Sequence, residues 1–305
     1  MNLLKALAEI RNPFCDMLVG GITLLGDETF FTIVGMVIFW CINKKWGYRF
    51  LLIGLSGSVV NQLLKAIFLI PRPWVLDPEF QIVESAREAA GGYSFPSGHT
   101  QSAVGVFGTL AVWLKKKWLT IVCVVMILLV GFSRMYLGVH TPLDVGVGMA
   151  CGAVMVLGLS WLFEKADTCR KGKFAIGTGM LALAIAYLLY MYLAPVTERN
   201  IAEFDAHALE NAWKLLGTMS GLLLAWWVDD RHIHFDVKAS WPIQLLKCGV
   251  GLVILVAVKS GLKPVFNALF SGAAIANAVR YFLMVVAGAI LWPMSFPYLS
   301  RLDKR

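Results

Sequence analysis

The sequence predicts an all-α protein: a polytopic membrane helix bundle with about nine transmembrane helices. Three observations carry that prediction. Hydrophobic residues make up 58% of the 305 positions and charged residues only 15%, with a mean hydropathy of +0.71, whereas soluble domains carry roughly 25% charged residues. The apolar residues fall in runs close to the ~20 residues that a membrane-crossing helix needs. Lys and Arg gather in every second gap between those runs, the pattern left by retention of basic loops on the cytoplasmic side.

Taken in order, the N-terminal MNLLKALAEIRNP is broken by Glu9 and Arg11 before a long apolar core develops. It is not expected to be a cleaved signal peptide. Leu3, Leu4, Leu7 and Ile10 instead suggest a short helix lying in the membrane interface. Segment 14–26 is apolar and either extends the first spanning helix or lies re-entrant beside it. The nine predicted spans are 29–43, 48–70, 98–114, 118–135, 143–163, 174–194, 215–228, 242–260 and 278–299.

Basic residues follow the odd-numbered spans: Lys44, Lys45 and Arg49; Lys115, Lys116 and Lys117; Lys165, Arg170, Lys171 and Lys173; Arg231 and Lys238; Arg301, Lys304 and Arg305. These loops hold 15 of the chain's 27 Lys and Arg residues, which places the N-terminus outside and the C-terminus in the cytoplasm. The net charge of +8 is therefore a topology signal, with an attraction to anionic lipid beside it. No nucleic-acid partner is needed to explain it.

The loops left outside differ. Segment 195–214 carries Glu198, Glu203, Asp205 and Glu210 and reads as a solvated cap, with His207 a solvated loop residue. Segment 71–95 has Arg72 between Pro71 and Pro73, then a possible short helix closed by Gly91 and Gly92, a C-cap and hinge. The basic stretch 164–173 divides the chain into a core of 1–173, with the sixth helix, 174–194, packing against it, and a three-helix membrane extension of 195–305. The six cysteines, at 15, 41, 123, 151, 169 and 248, show no paired spacing and read as small apolar fillers.

Ionisable residues at the ends of membrane helices are costly and point to function. Lys65, Arg72 and Pro73 end the second span. Pro96, Ser97, Gly98 and His99 open the third. Ser133 and Arg134 end the fourth, and His140, Thr141, Pro142 and Asp144 turn into the fifth. Because these spans alternate in direction, all three strings meet at the outer surface. Two guanidinium forks and a lysine match phosphate oxygens. Backbone N–H groups of Ser97, Gly98 and His99 at a helix start point at an anion, and Gly98 lets the anion approach closely. One neutral imidazole can attack phosphorus while a protonated one gives its proton to the leaving oxygen, so metal is not required. Asp144, four residues after His140, can hold a ring nitrogen and fix its tautomer. The residues alone leave open which histidine attacks.

The strings KAIFLIPRP (65–73), PSGH (96–99) and SRMYLGVHTPLD (133–144), separated by 22 and 33 residues, resemble the three-part signature of the type 2 phosphatidic acid phosphatase superfamily. The resemblance implies that His140 is the nucleophile and forms a phosphohistidine, that Asp144 orients it, and that His99 protonates the leaving group. It further implies that Lys65, Arg72, Ser97, Gly98 and Arg134 bind the phosphate, with no cofactor and no metal. The implied activity is hydrolysis of a lipid phosphate or pyrophosphate, such as phosphatidic acid or undecaprenyl pyrophosphate, at the outer face of the plasma (inner) membrane. The substrate would enter laterally past the 74–95 loop. Nine spans and an external N-terminus also resemble the glucose-6-phosphatase and sphingosine-phosphate phosphatase branches, so a sugar phosphate or a sphingoid-base phosphate is the alternative substrate. A transporter or scramblase with a vestigial site is a third reading.

Simpler roles stand beside these. Asp144 suits the first turn of a helix capped by Thr141 and opened by Pro142; Lys65 could snorkel; Ser97 could only cap; Ser133 could bond to backbone. In the stretch Asp229–Asp236, His232 and His234 lack a third ligand cluster. Lys247, Lys259 and Arg280 read as interface anchors. Gly148 with Gly152, and Gly217 with Gly221, allow close helix packing within the chain or in a homodimer.

Overall fold

The computed structural model describes residues 1–87, 90–167, 169–270 and 273–302, and every regular element among them is helical. The chain opens with α1 (Asn2–Glu9), whose Leu4 is fully buried, and α2 (Pro13–Thr23). Asn12 caps α2 by accepting from the Cys15 N–H, and Pro13 fills its first position, where a missing N–H costs nothing. A short 3₁₀ turn ends at Gly26, and Asp27 starts α3 (Glu28–Val37) by accepting from the Thr29 N–H at 2.7 Å. Segments 13–26 and 28–42 meet at 52°. Segment 14–26 is thus a separate helix set at an angle rather than a straight extension, because the Asp27 cap restarts the chain.

Helix α4 (Lys44–Phe68), capped by Asn43, is followed by the single turn α5 (Pro73–Leu76). A loop leads to α6 (Gly98–Ala103), which runs through a π turn into α7 (Thr109–Leu114). Then come α8 (Lys117–Tyr136), α9 (Pro142–Ala166) and α10 (Arg170–Leu193). The C-terminal part holds α11 (Ala202–Val228), α12 (Trp241–Leu269), α13 (Ile275–Val286) and α14 (Phe296–Leu302). Lys304 and Arg305 lie outside the described residues.

Among the described residues six segments are long and apolar enough to cross a membrane: 44–76, 117–136, 142–166, 171–193, 241–269 and 275–301; the bent pair 13–42 makes a seventh if counted as one. Helix 98–114 is short and begins with polar residues, and α11 carries Glu203, Asp205, Glu210 and Lys214 in its first half. A count of nine requires both of these to cross as well.

Three expectations are corrected. The acidic segment 195–214 is not a loop throughout: from Ala202 onward it is the first half of α11, with Ala208 and Ala212 buried on its inner face. His207 accordingly sits on a helix, not in a loop. Lys247 and Arg280 are buried rather than anchored in the interface. Lys247 donates to the carbonyls of Asp236 and Val237 and lies 4.5 Å from the Phe296 ring centre. Arg280 donates to Asn277 Oδ1 at 2.7 Å. Lys259 stays exposed.

Helix α4 packs against α9, α10 and α11 around an apolar core that includes Phe39, Trp40, Tyr48, Phe50 and Leu52. The small-residue pairs serve contacts within the chain. A Cβ on Gly148 would lie 2.7 Å from the Ser97 carbonyl oxygen, and one on Gly217 would collide with the Ala278 carbonyl of α13. The extension is bonded to the core at the other end of the bundle, where Trp40 Nε1 donates to Gly288 O at 2.9 Å and the Cys41 and Cys248 sulfurs lie 3.3 Å apart. Apolar-run spacing alone could not reveal that thiol contact. Asp229 of the Asp229–Asp236 stretch pairs with Lys44 at 3.0 Å, a structural link between the two halves.

Candidate active site

The C-terminal end of α4, the start of α6 and the turn joining α8 to α9 converge, as the sequence pattern requires. Lys65 is buried and donates to the carbonyls of Tyr93 and Ser94. Arg72 is held by four backbone and side-chain acceptors: Nε donates to Gly92 O (3.0 Å), Nη2 to Gly91 O (3.0 Å), and Nη1 to both Val139 O (3.1 Å) and His140 Nε2 (2.8 Å). That last bond fixes the imidazole: Nε2 is the acceptor, so the ring proton sits on Nδ1. The opposite edge of His140 meets Asp144 Oδ2 at 3.4 Å and Ser94 Oγ at 3.3 Å.

Asp144 keeps both of its readings. It occupies the N3 position of α9 in a full capping box: its N–H donates to Thr141 Oγ1 (3.2 Å), and its Oδ2 accepts from the Thr141 N–H (2.7 Å). The same Oδ2 accepts from Ser94 Oγ at 2.6 Å. The cap is what aims the carboxylate at His140, because N3 lies one turn from the residue before the cap.

Ser97 caps α6, and its hydroxyl is shared with Thr100 Oγ1 at 2.8 Å. Its N–H donates to Asp144 O at 2.9 Å, tying the starts of α6 and α9 together. Gly98 has only Asn61 Oδ1 near its missing Cβ, at 3.4 Å. Ser133 donates to Val130 O, as a backbone-bonding residue. Arg134 is fully buried; Nη1 donates to Thr23 Oγ1 at 2.8 Å, while Nε and Nη2 have no partner among the described residues. Buried donors without acceptors are costly, and a phosphate oxygen would satisfy them. His99 Nε2 lies 3.9 Å from Asp27 Oδ2.

Burial, with the charges of Arg72, Lys65 and Arg134, holds His140 well below the ordinary histidine range. The ring is therefore neutral at pH 7, with its Nε2 lone pair turned to Arg72 Nη1. Among the described residues no group of three or more His, Cys, Asp and Glu side chains is placed to hold a metal ion.

Three contributors were absent from the motif reading. Ser94 bridges His140 and Asp144, Asp27 faces His99, and Tyr93 supplies a carbonyl to Lys65. Ser94 had a weak signal, a polar residue two positions before Pro96; Asp27 had none beyond breaking an apolar run.

The PAP2 superfamily profile matches residues 46–168, and that of the "PAP2 superfamily phosphatase, transmembrane extension" matches 213–305. Phosphatidylglycerophosphatase B of Bacillus subtilis (strain 168) is 30% identical over 181 residues, covering 55% of this chain and 84% of that protein. The chain belongs to the PAP2 superfamily. Lipid phosphate phosphatase delta of Arabidopsis thaliana is 26% identical over 235 residues, covering 72% of this chain and 55% of that protein. The chain thus spans about half the length of that plant relative. A crystal structure of a transmembrane PAP2-type phosphatidylglycerolphosphate phosphatase from Bacillus subtilis aligns with a TM-score of 0.45 at 29% identity, covering 55% of this chain and 86% of that one. The protein is an integral membrane phosphatase of the PAP2 superfamily, built of helices.

Proposed function

We propose that the protein hydrolyses a lipid phosphate at the outer membrane face, without metal, through a phosphohistidine on His140. One observation carries the lipid reading. A single cavity of about 320 Å³ holds Lys65, Arg72, His99 and His140 at one end and reaches Ile53 and Gly54, with Phe31, Met155 and Val156 on its walls. Lys65 and Ile53 are 12 positions apart on α4, about 18 Å at the helical rise. Between them Ser58, Asn61 and Gln62 give the cavity a polar middle, and its apolar far end at Ile53 and Phe31 fits a hydrocarbon chain trailing from a phosphate held at the cations.

The chemistry divides between the two histidines. Lys65, Arg72 and the unpartnered Arg134 nitrogens receive the phosphate oxygens. His140 Nε2 attacks phosphorus, forming the P–N bond as the P–O bond to the alcohol breaks; Asp144 and Ser94 hold Nδ1–H and stabilise the imidazolium. His99, which takes up a proton when the phosphate's negative charge lies beside it, gives that proton to the leaving oxygen. Water then attacks phosphorus, His99 takes its proton, the P–N bond breaks, and phosphate leaves. Asp27 orients His99 through these steps.

The test is release of inorganic phosphate by purified protein from a panel of phosphatidic, lysophosphatidic, sphingoid-base, polyprenyl and sugar phosphates, in detergent with and without chelator. Wild type should act on a lipid member in the presence of chelator, and His140→Ala and His99→Ala should each abolish turnover. Preference for the sugar phosphate, or restoration of chelated enzyme only by a metal, would overturn the reading.

A further inference from the structure

The cavity that holds the phosphate end also has a wall from outside the 46–168 match. His207, Asn211, Lys214 and Thr218 of α11, with Tyr281 of α13, line it. Spacings of 4, 3 and 4 residues put the four α11 side chains on one helical stripe, and that stripe faces the catalytic residues. His207 lies against the backbone of Gly91 and Gly92, the residues whose carbonyls hold Arg72.

A second contact fixes this wall in place. The Tyr93 hydroxyl donates to Asp205 Oδ1 and accepts from the Ile201 N–H, both at 2.9 Å. Its ring packs on Phe204 with centres 5.2 Å apart, while its carbonyl accepts from Lys65. The start of α11 is therefore joined to the phosphate cradle through one residue.

The two walls differ in charge. The phosphate end presents Lys65 and Arg72. On α11, Lys214 is neutralised by Glu210 at 2.9 Å, and Glu210 also accepts from Asn277 at 3.4 Å. That face offers hydrogen-bond donors and acceptors with little net charge, which suits neutral hydroxyl groups better than a second phosphate.

We infer that the stripe Asn211–Lys214, with His207 and Tyr281, is a leaving-group subsite that recognises a free hydroxyl on the alcohol being released, so that the C-terminal extension sets substrate choice. The substrate class is a phosphomonoester of a hydroxylated lipid alcohol, glycerol-like near the ester oxygen. The inference rests on the lipid-phosphatase reading above. A site built to hydrogen-bond a hydroxyl discriminates strongly against an analogue lacking it, because its own polar groups are left unpaired.

The experiment compares kcat/KM for 1-acyl-glycerol 3-phosphate and for its 2-deoxy analogue, which differ by one hydroxyl. Wild type should favour the hydroxylated substrate by at least about tenfold. Asn211→Leu and Lys214→Met should each bring the ratio toward one by raising KM for the hydroxylated substrate, and Lys214→Arg should recover part of it. Equal use of both substrates by wild type, or a ratio unchanged in both variants, overturns the inference while leaving the phosphatase reading intact. Variants whose activity falls equally on both substrates assign α11 a structural role and also overturn it. If wild type releases phosphate from neither substrate nor from the wider panel, the phosphatase reading itself has failed.

Discussion

Ser94→Ala offers the sharpest test of how His140 is held. The Asp144–His140 contact is 3.4 Å, long for a hydrogen bond, whereas Ser94 Oγ lies 2.6 Å from Asp144 Oδ2 and 3.3 Å from His140 Nδ1. The hydroxyl thus connects the pair. Its removal deletes one bond to a carboxylate, and bonds to charged groups contribute about 1.5–3 kcal/mol. Oδ2 retains the Thr141 N–H at 2.7 Å, so the lower part of that range applies, about 1.5–2 kcal/mol, or roughly ten- to thirtyfold in rate. The loss should fall on kcat, since Ser94 supports the charge that develops on the imidazole, and KM should move little. Steady-state phosphate release, with thermal unfolding in the same detergent as a control for folding, measures it. A kcat within twofold of wild type in well-folded Ser94→Ala would show that Asp144 alone orients the histidine and would refute the relay.

The kcat/KM profile should have its acid limb below pH 6.5. The imidazole must be neutral to attack, burial and neighbouring cations disfavour its proton, and activity is lost only when pH falls through that lowered value; a limb above 6.5 contradicts the assignment. Gly148→Ala should cut activity severalfold by pushing on the Ser97 carbonyl, while Gly146→Ala, with nothing within 4 Å, should be silent; equal effects would remove the role given to the α6–α9 contact. Arg134→Lys keeps the charge but not the fork, and the unpartnered Nε and Nη2 predict about a tenfold rise in KM or in the inhibition constant of inorganic phosphate; an unchanged value would mean that those nitrogens do not meet the phosphate.

How much of this was legible beforehand differs by residue. Lys65, Arg72, His99, His140 and Asp144 could be placed together because each sits at a helix end and alternating spans bring those ends to one side. Ser94 and Asp27 could not, since their roles depend on how a loop and a helix break fold back onto the imidazoles. The acidic stretch from Glu203 to Glu210 read as solvated because composition counts charges without direction; in the helix Ala208 and Ala212 turn inward, Glu203 stays exposed, and Asp205 and Glu210 are taken up by Tyr93 and by Lys214 with Asn277. Lys247 misled for a related reason. A lysine near the end of an apolar run normally reaches for water, but here the carbonyls of Asp236 and Val237 and the Phe296 ring receive it within the protein.

Tyr93 joins two parts of the chain that lie more than a hundred positions apart, with its carbonyl on Lys65 and its hydroxyl at the start of α11. Strain applied at either end is felt at the other. A catalytic half excised before residue 195 would keep every motif residue and lose the strut that sets the height of its lysine, so it would be a poor surrogate for the intact enzyme. Transplanting the last three helices onto another member of the superfamily would, for the same reason, require a tyrosine at the matching loop position before the graft could seat.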